Sequence, residues 1–210
     1  MNIQSGSKKE VIFLLLNQFA DFEMAYLTSA INIGVEIERQ QTPYIAKTVS
    51  IDGRIVQSIG GIKVVPDYSL ATLPENYAAL VLIGGYDWFN PDTKKILPLI
   101  SASLRANKIV AAICNATVFL AINGFLNKVK HTSNALDLIV KYDTENQYVG
   151  HSYYMQQPVV DDHNIITANG FASLEFTKQL LLALHIDSKE KIEAYYHFFK
   201  YGLYCRTTEK

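Results

Sequence analysis

The chain has 210 residues, 49% of them hydrophobic, with 19 basic and 20 acidic side chains and a formal net charge of −1. That length can bury one sizeable core, against roughly 150 residues per domain, and Lys and Arg scattered without blocks argue against nucleic acid or an anionic membrane as partner. The two cysteines, Cys114 and Cys205, lack metal or disulfide spacing, which suits a reducing cytoplasm.

A single domain over 1–210 is expected, with a polar tail at 1–9 and an aromatic helix and tail at 188–210. The apolar run VIFLLL is too short to span a bilayer, and no small-residue cleavage site follows it. Apolar runs then alternate with amphipathic helical patterns to the end of the chain. This predicts an α/β three-layer sandwich, a mostly parallel, flavodoxin-like sheet with helices on both faces.

In chain order, a strand is expected at 11–16, a helix at 22–33 and a second strand at 44–50, after Pro43. Asp52-Gly53 signals a turn, and 55–59, Gly60-Gly61 and 62–65 read as a small hairpin ended by Pro66. The next strand, 77–83, ends at Gly84-Gly85, and a helix follows over 91–106 with Pro near its start. The run 109–113 reads as a buried strand that gives way at Cys114 to a helix closed by Asn123-Gly124. A short helix at 136–142, a strand at 153–160, a turn at 161–164 and a strand at 165–168 come next. Two helices, 171–186 and 189–204, finish the chain, the second with the aromatic stripe Tyr195, Tyr196, Phe198, Phe199 and Tyr201, read as a packing or subunit surface.

The strand-to-helix turn at Cys114 is the strongest chemical signal. Ala112 and Ala116 flank it with small side chains, as a tight elbow requires, and the helix N-terminus is expected to depress the thiol pKa from about 8.5. The alternative is a buried, inert cysteine, a common fate for this residue. Ligands of open α/β sheets collect at the carboxyl ends of strands, where the loop after the first strand and Gly84-Gly85 also fall. In that loop Asp21 reads as a cap, whereas Glu23 can meet the thiol and move a proton if burial raises its pKa. A backbone N–H from Gly84 or Gly85, with that of Asn115, can form an oxyanion hole. His131 is the best-placed candidate base, ahead of His151, while His163 belongs to a turn. The five histidines show no ligand spacing, and there is no G-x-G-x-x-G or Walker pattern, so no metal or cofactor is expected.

The fragments VIFLLLNQFADFEMAYL, GGIKVVPDYSL, ALVLIGGYDW, IVAAICNATVFLAINGFL, HTSN and IITANGFASLEFTKQLLLAL resemble the ThiJ/PfpI superfamily of class I glutamine-amidotransferase-like folds, which includes a Parkinson-linked protein deglycase. The resemblance covers nearly the whole chain and is nearest to bacterial members with a DWE-like first-helix motif, here Asp21-Phe22-Glu23. It implies that Cys114 is the reactive elbow cysteine, that Glu23 hydrogen-bonds it, and that the oxyanion donors fall on Gly84-Gly85 and Asn115. It further implies glyoxalase-like, deglycase-like or other cysteine hydrolase chemistry on a small electrophile, and a homodimer. A redox sensor or stress-response protein whose cysteine oxidises without turnover is the alternative. Two departures narrow this. Asn115 stands where peptidase-like members carry His, and Ser173-Leu174-Glu175 replaces the H-x-E pair of true amidotransferases. The loops around Tyr86, Trp88, Phe89 and His151 are expected to shape the substrate site.

Overall fold

A computed structural model of the chain describes residues 8–36 and 42–203. In β1 (Lys9–Leu14) and just beyond it, residues 11–16 are buried without alternation, as a strand covered on both faces requires. A 3₁₀ turn at Asp21–Glu23 leads into α1 (Ala25–Ile33), so the helix expected over 22–33 has a tighter entry. β2 (Tyr44–Ser50) follows Pro43. β3 (Val56–Gln57) and β4 (Lys63–Val64) pair antiparallel as the hairpin read at 55–65. β5 (Tyr68–Ser69), unsignalled in the sequence, joins the edge of β2.

β6 (Tyr77–Leu82) is the next core strand. The helix expected over 91–106 is divided: Pro91–Ile96 winds as 3₁₀ and α2 covers Leu97–Arg105, with Pro98 in its first turn, where a missing N–H is harmless. β7 (Ile109–Ile113), α3 (Asn115–Ile122) and α4 (Leu136–Tyr142) stand where the patterns place them.

The strand read at 153–160 is displaced. β8 is Val159–Asp162, so Asp161 and Asp162 belong to the strand rather than to the turn. The turn is His163-Asn164 alone, with φ of 51° and 61°, the left-handed pair that closes a two-residue hairpin onto β9 (Ile165–Ala168). Pro158, which has no N–H, precedes the strand, and residues 154–157 form a loop after a 3₁₀ turn at His151–Tyr153. α5 (Ser173–Ala183) and α6 (Lys189–Tyr201) are shorter than expected, and α6 stops at Gly202, φ 65°. Cys205 and residues 1–7 of the expected tail lie outside the described residues.

The seven-stranded sheet has the order β5-β2-β1-β6-β7-β9-β8, and only the β8·β9 pair is antiparallel. Alternate residues of the central strands feed two cores. Val11, Phe13, Val81 and Ala111 meet α1, α5 and α6 on one face, while Ile12, Leu14, Leu80 and Val110 meet α2, α3 and α4 on the other. The result is the expected three-layer, mostly parallel α/β sandwich. Tyr195 enters the first core and its hydroxyl donates to the carbonyl of Tyr26, whereas Phe198, Phe199 and Tyr201 of the same aromatic stripe are exposed. No helix among the described residues is long and apolar enough to cross a membrane.

Candidate active site

β1, β6, β7 and β9 run parallel, so the loops that follow them meet at one edge of the sheet. After β1 the chain crosses to the loop after β6: the N–H of Ala20 donates to Gly84 O at 3.0 Å, and that of Tyr86 to Gln18 O at 3.2 Å. This crossing sets the 3₁₀ turn that carries Glu23 beside β7. Only glycine permits the approach at Gly84, because a Cβ there would lie 2.5 Å from both Cys114 Cβ and Glu23 Oε2.

β7 delivers Cys114 to the elbow. Its backbone is held at φ 60°, ψ −130°, outside helix and strand, and its N–H donates to Ala168 O at 3.0 Å. Such a conformation costs about 1–3 kcal/mol and persists only where the surroundings enforce it. The helix that follows contributes: Thr117 donates to Cys114 O from both its N–H and its hydroxyl. The thiol is half-buried.

Around the sulfur, Glu23 hydrogen-bonds the thiol with one end of its carboxyl and accepts the Gly84 N–H on Oε2 at 2.8 Å. The Asn115 N–H faces the sulfur, while the Asn115 amide donates to Gly85 O at 2.7 Å. From the other side Asn134 Nδ2 donates to Sγ at 3.2 Å, its orientation fixed by the Gly170 N–H on Oδ1 at 2.7 Å. A Cβ at Gly170 would sit 3.1 Å from Sγ and 3.2 Å from Glu23 Oε1, so glycine keeps this wall thin.

Glu23 is 1% exposed, and burial pushes its carboxyl from 4.5 up to about 7 against the opposing hydrogen bonds from Cys114 and Gly84. Burial, and then the charge of Glu23, push the Cys114 thiol up to about 11, against the stabilising Asn134 and Asn115 donors. This overturns the depressed thiol expected from the helix N-terminus alone. Two acids in contact in a dry site cannot both ionise, so near neutral pH the pair holds at most one negative charge and exchanges its proton internally.

Two further expectations are corrected. Gly84 is not an oxyanion donor, since its N–H is already taken by Glu23; the Gly85 N–H makes no hydrogen bond among the described residues and is the available partner for Asn115. His131 is not the base. It is completely buried, with Nδ1 at 2.8 Å from Val129 O and Nε2 at 2.8 Å from the Tyr148 hydroxyl. Burial holds its pKa below the usual value, so Nδ1 donates to the carbonyl and Nε2 accepts from Tyr148, leaving neither nitrogen for Cys114. Its segment is a loop with a single bridge to Tyr154. His151 is exposed against Tyr148, and His163 pairs with Asp162 in the hairpin turn. Trp88 is core, its indole donating to Ile83 O, and Phe89 stacks on Tyr142; of these three aromatic residues only Tyr86 is widely exposed. Among the described residues no group of three or more His, Cys, Asp or Glu could hold a metal ion.

Sequence reasoning missed Asn134 and Gly170. Gly170 had a legible signal, since it follows a buried strand at the same sheet edge as Gly84; Asn134 had none beyond its place beside His131.

The family model of the DJ-1/PfpI family matches residues 9–183. A Bacillus subtilis protein named as an uncharacterized protease, YdeA, is 41% identical over 196 residues, covering 93% of this chain and 93% of the relative. The crystal structure of the thiJ/pfpI family protein from Bacillus anthracis superposes with a TM-score of 0.86 at 31% identity, over 94% of this chain and 93% of that one. A DJ-1 superfamily protein from Agrobacterium tumefaciens gives 0.80 at 32% identity, over 91% and 97%.

Proposed function

The chain belongs to the DJ-1/PfpI family, and on that premise we propose that it is a cysteine-dependent enzyme acting on small electrophiles, either aldehydes or ester and amide carbonyls. Cys114 Sγ bonds to the carbonyl carbon, the thiol proton passes to the Glu23 carboxylate, and the carbonyl electron pair moves to oxygen between the N–H groups of Gly85 and Asn115. With an aldehyde the adduct is a hemithioacetal. With an ester or amide the adduct collapses as Glu23 returns the proton to the leaving group, and water then releases the acyl group.

One observation carries this reading: a carboxyl pinned between the Gly84 N–H and the thiol, with its pKa near 7. A base with that pKa is suited to neutral pH, and it removes the need for a histidine beside the cysteine. The name protease belongs to the Bacillus subtilis relative; here Asn115 occupies the position where peptidase-like members carry His, and its amide is spent on Gly85.

The test is turnover of a panel containing methylglyoxal, glyoxal and an activated ester by wild type, Cys114→Ala and Glu23→Gln. Turnover is expected for wild type, none for Cys114→Ala and much less for Glu23→Gln; wild-type inactivity on the whole panel would sink the proposal. A redox-sensing role has one point in its favour, the ring of donors from Asn134, Asn115 and protonated Glu23 that would hold an oxidised sulfur. It needs a thiolate to attack peroxide, and the raised thiol pKa weighs against it. Mass spectrometry after mild peroxide decides: Cys114 left intact while Cys205 oxidises rules sensing out.

A further inference from the structure

We propose that the open cleft beyond Asn134 is the substrate subsite of the Cys114 centre, that it takes uncharged or cationic hydrogen-bonding groups, and that Asp137 is the specificity-determining residue that turns anions away. This rests on the reading of Cys114 as the nucleophile. The cleft holds about 520 Å³, within the usual range for small-ligand sites, and its polar walls come from Asn134, Asp137, Tyr154, Gln156, Gln157 and Asn169. Asn134 is both a wall of the cleft and the donor to Sγ, and Asn169 precedes the Gly170 that lies against the sulfur. A substituent on the carbon under attack therefore has the cleft as its neighbour, one amide side chain away from the thiol.

The chemistry of the walls is one-sided. Amides and hydroxyls donate and accept, so they can match a neutral polar group, but no Lys, Arg or His lines the cleft, and its only charged wall is Asp137. An anionic substituent would lose water, meet no cation and face a carboxylate. The positive end of α4 does not offset this, because Asp137 sits in the first turn of that seven-residue helix and meets its dipole. Beside Gly85, which the Tyr86 N–H to Gln18 O bond flanks, a second recess of about 590 Å³ is lined by Asn17, Gln18, Gln57, Ser58, Ile59 and Tyr86, with no charged side chain, so it supplies no compensating cation. Asp137 is exposed, so solvent and salt screen its field and the expected discrimination is a matter of several-fold in rate.

The test uses the full chain carrying Cys205→Ser, so that Cys114 is the single thiol. It is alkylated at low salt with iodoacetamide or iodoacetate, which share size and leaving group. In each reaction the Sγ–carbon bond forms, the carbon–iodine bond breaks, iodide departs and the thiol proton goes to Glu23 or water. The amide-to-acetate rate ratio, followed by intact mass, is expected to exceed that of mercaptoethanol roughly tenfold. Glu23 repels iodoacetate equally in every cleft variant, so the cleft's share is isolated by Asp137→Asn, expected to narrow the ratio roughly threefold, and by Gln157→Lys, expected to narrow it further. Ratios unchanged in both variants overturn the subsite while leaving the nucleophile reading intact. Failure of Cys114 to react with either reagent removes that reading, and the subsite with it.

Discussion

Cys114, half-buried, and His131, fully buried, are separated by α3 and the loop that follows it, and they are built in opposite ways. Each His131 ring nitrogen has one partner of matching sense, Val129 O for the donor and the Tyr148 hydroxyl for the acceptor, and tyrosine rings pack edge-on against it. Nothing about it is left over. Cys114 sits on a backbone conformation that most residues avoid, beside a carboxyl buried in competition with it for a proton. A satisfied buried group stabilises the fold, whereas a frustrated one stores the means to react.

That contrast is broken most directly by removing each residue. Cys114→Ala is expected to lower turnover by roughly 10³-fold or more, with a urea midpoint no lower than wild type. His131→Ala should do the reverse: it leaves the Tyr148 hydroxyl and Val129 carbonyl unpaired in a dry cavity, costing about 2–4 kcal/mol, while turnover of the remaining folded protein stays within about threefold. Loss of turnover in His131→Ala at full stability would reinstate it as the base.

Glu23 sharpens the comparison through pH. Its pKa is about 7 in the fold against 4.5 for a free side chain, so the native state holds a proton that the unfolded chain has released. Its contribution to stability is therefore full below about pH 4.5 and is lost as pH rises through about 7, a difference of about 3 kcal/mol. Glu23→Gln keeps an oxygen for the Gly84 N–H and carries no charge. The variant should match wild type near pH 4.5 and exceed it by about 3 kcal/mol at pH 8, as measured by urea unfolding, while losing most turnover. Equal stability at both pH values would mean that the carboxyl is not buried as described.

How much of this was legible depends on whether the signal is local. Residues 11–16, 77–83 and 109–113 read as strands because parallel strands buried on both faces are unbroken apolar runs. β8 was misplaced because an edge strand can end in Asp161-Asp162, whose composition looks like a turn, while the apolar stretch before Pro158 looks like a strand. Cys114 and Glu23 were legible from an elbow and a helix entry that fall at the same sheet edge. The direction of the thiol shift was not, since a helix N-terminus is read from a few residues, but the burial and the Glu23 charge that outweigh it come from a segment about ninety positions away in the chain. Asn134 carries no local mark at all: an asparagine in a loop looks the same whether its amide meets water or a sulfur.

Asn134 supplies the smallest and most diagnostic effect. Its Nδ2 donor opposes the upward shift of the thiol, so Asn134→Ala should move the thiol-reactivity profile to higher pH and slow reaction at pH 8 by roughly tenfold, the equivalent of about 1.4 kcal/mol for one hydrogen bond to a charged group. If the residue merely propped up the loop, Asn134→Asp would behave as wild type, because an aspartate still accepts the Gly170 N–H. If the donor is what matters, aspartate does worse than alanine, since it offers the sulfur no hydrogen and adds a second negative charge beside a pair that already holds no more than one. The order wild type, then alanine, then aspartate in rate at pH 8, with rates converging once pH exceeds the thiol pKa, identifies Asn134 as the group that makes the thiolate accessible. The order wild type equal to aspartate, then alanine, would return it to a structural role beside His131.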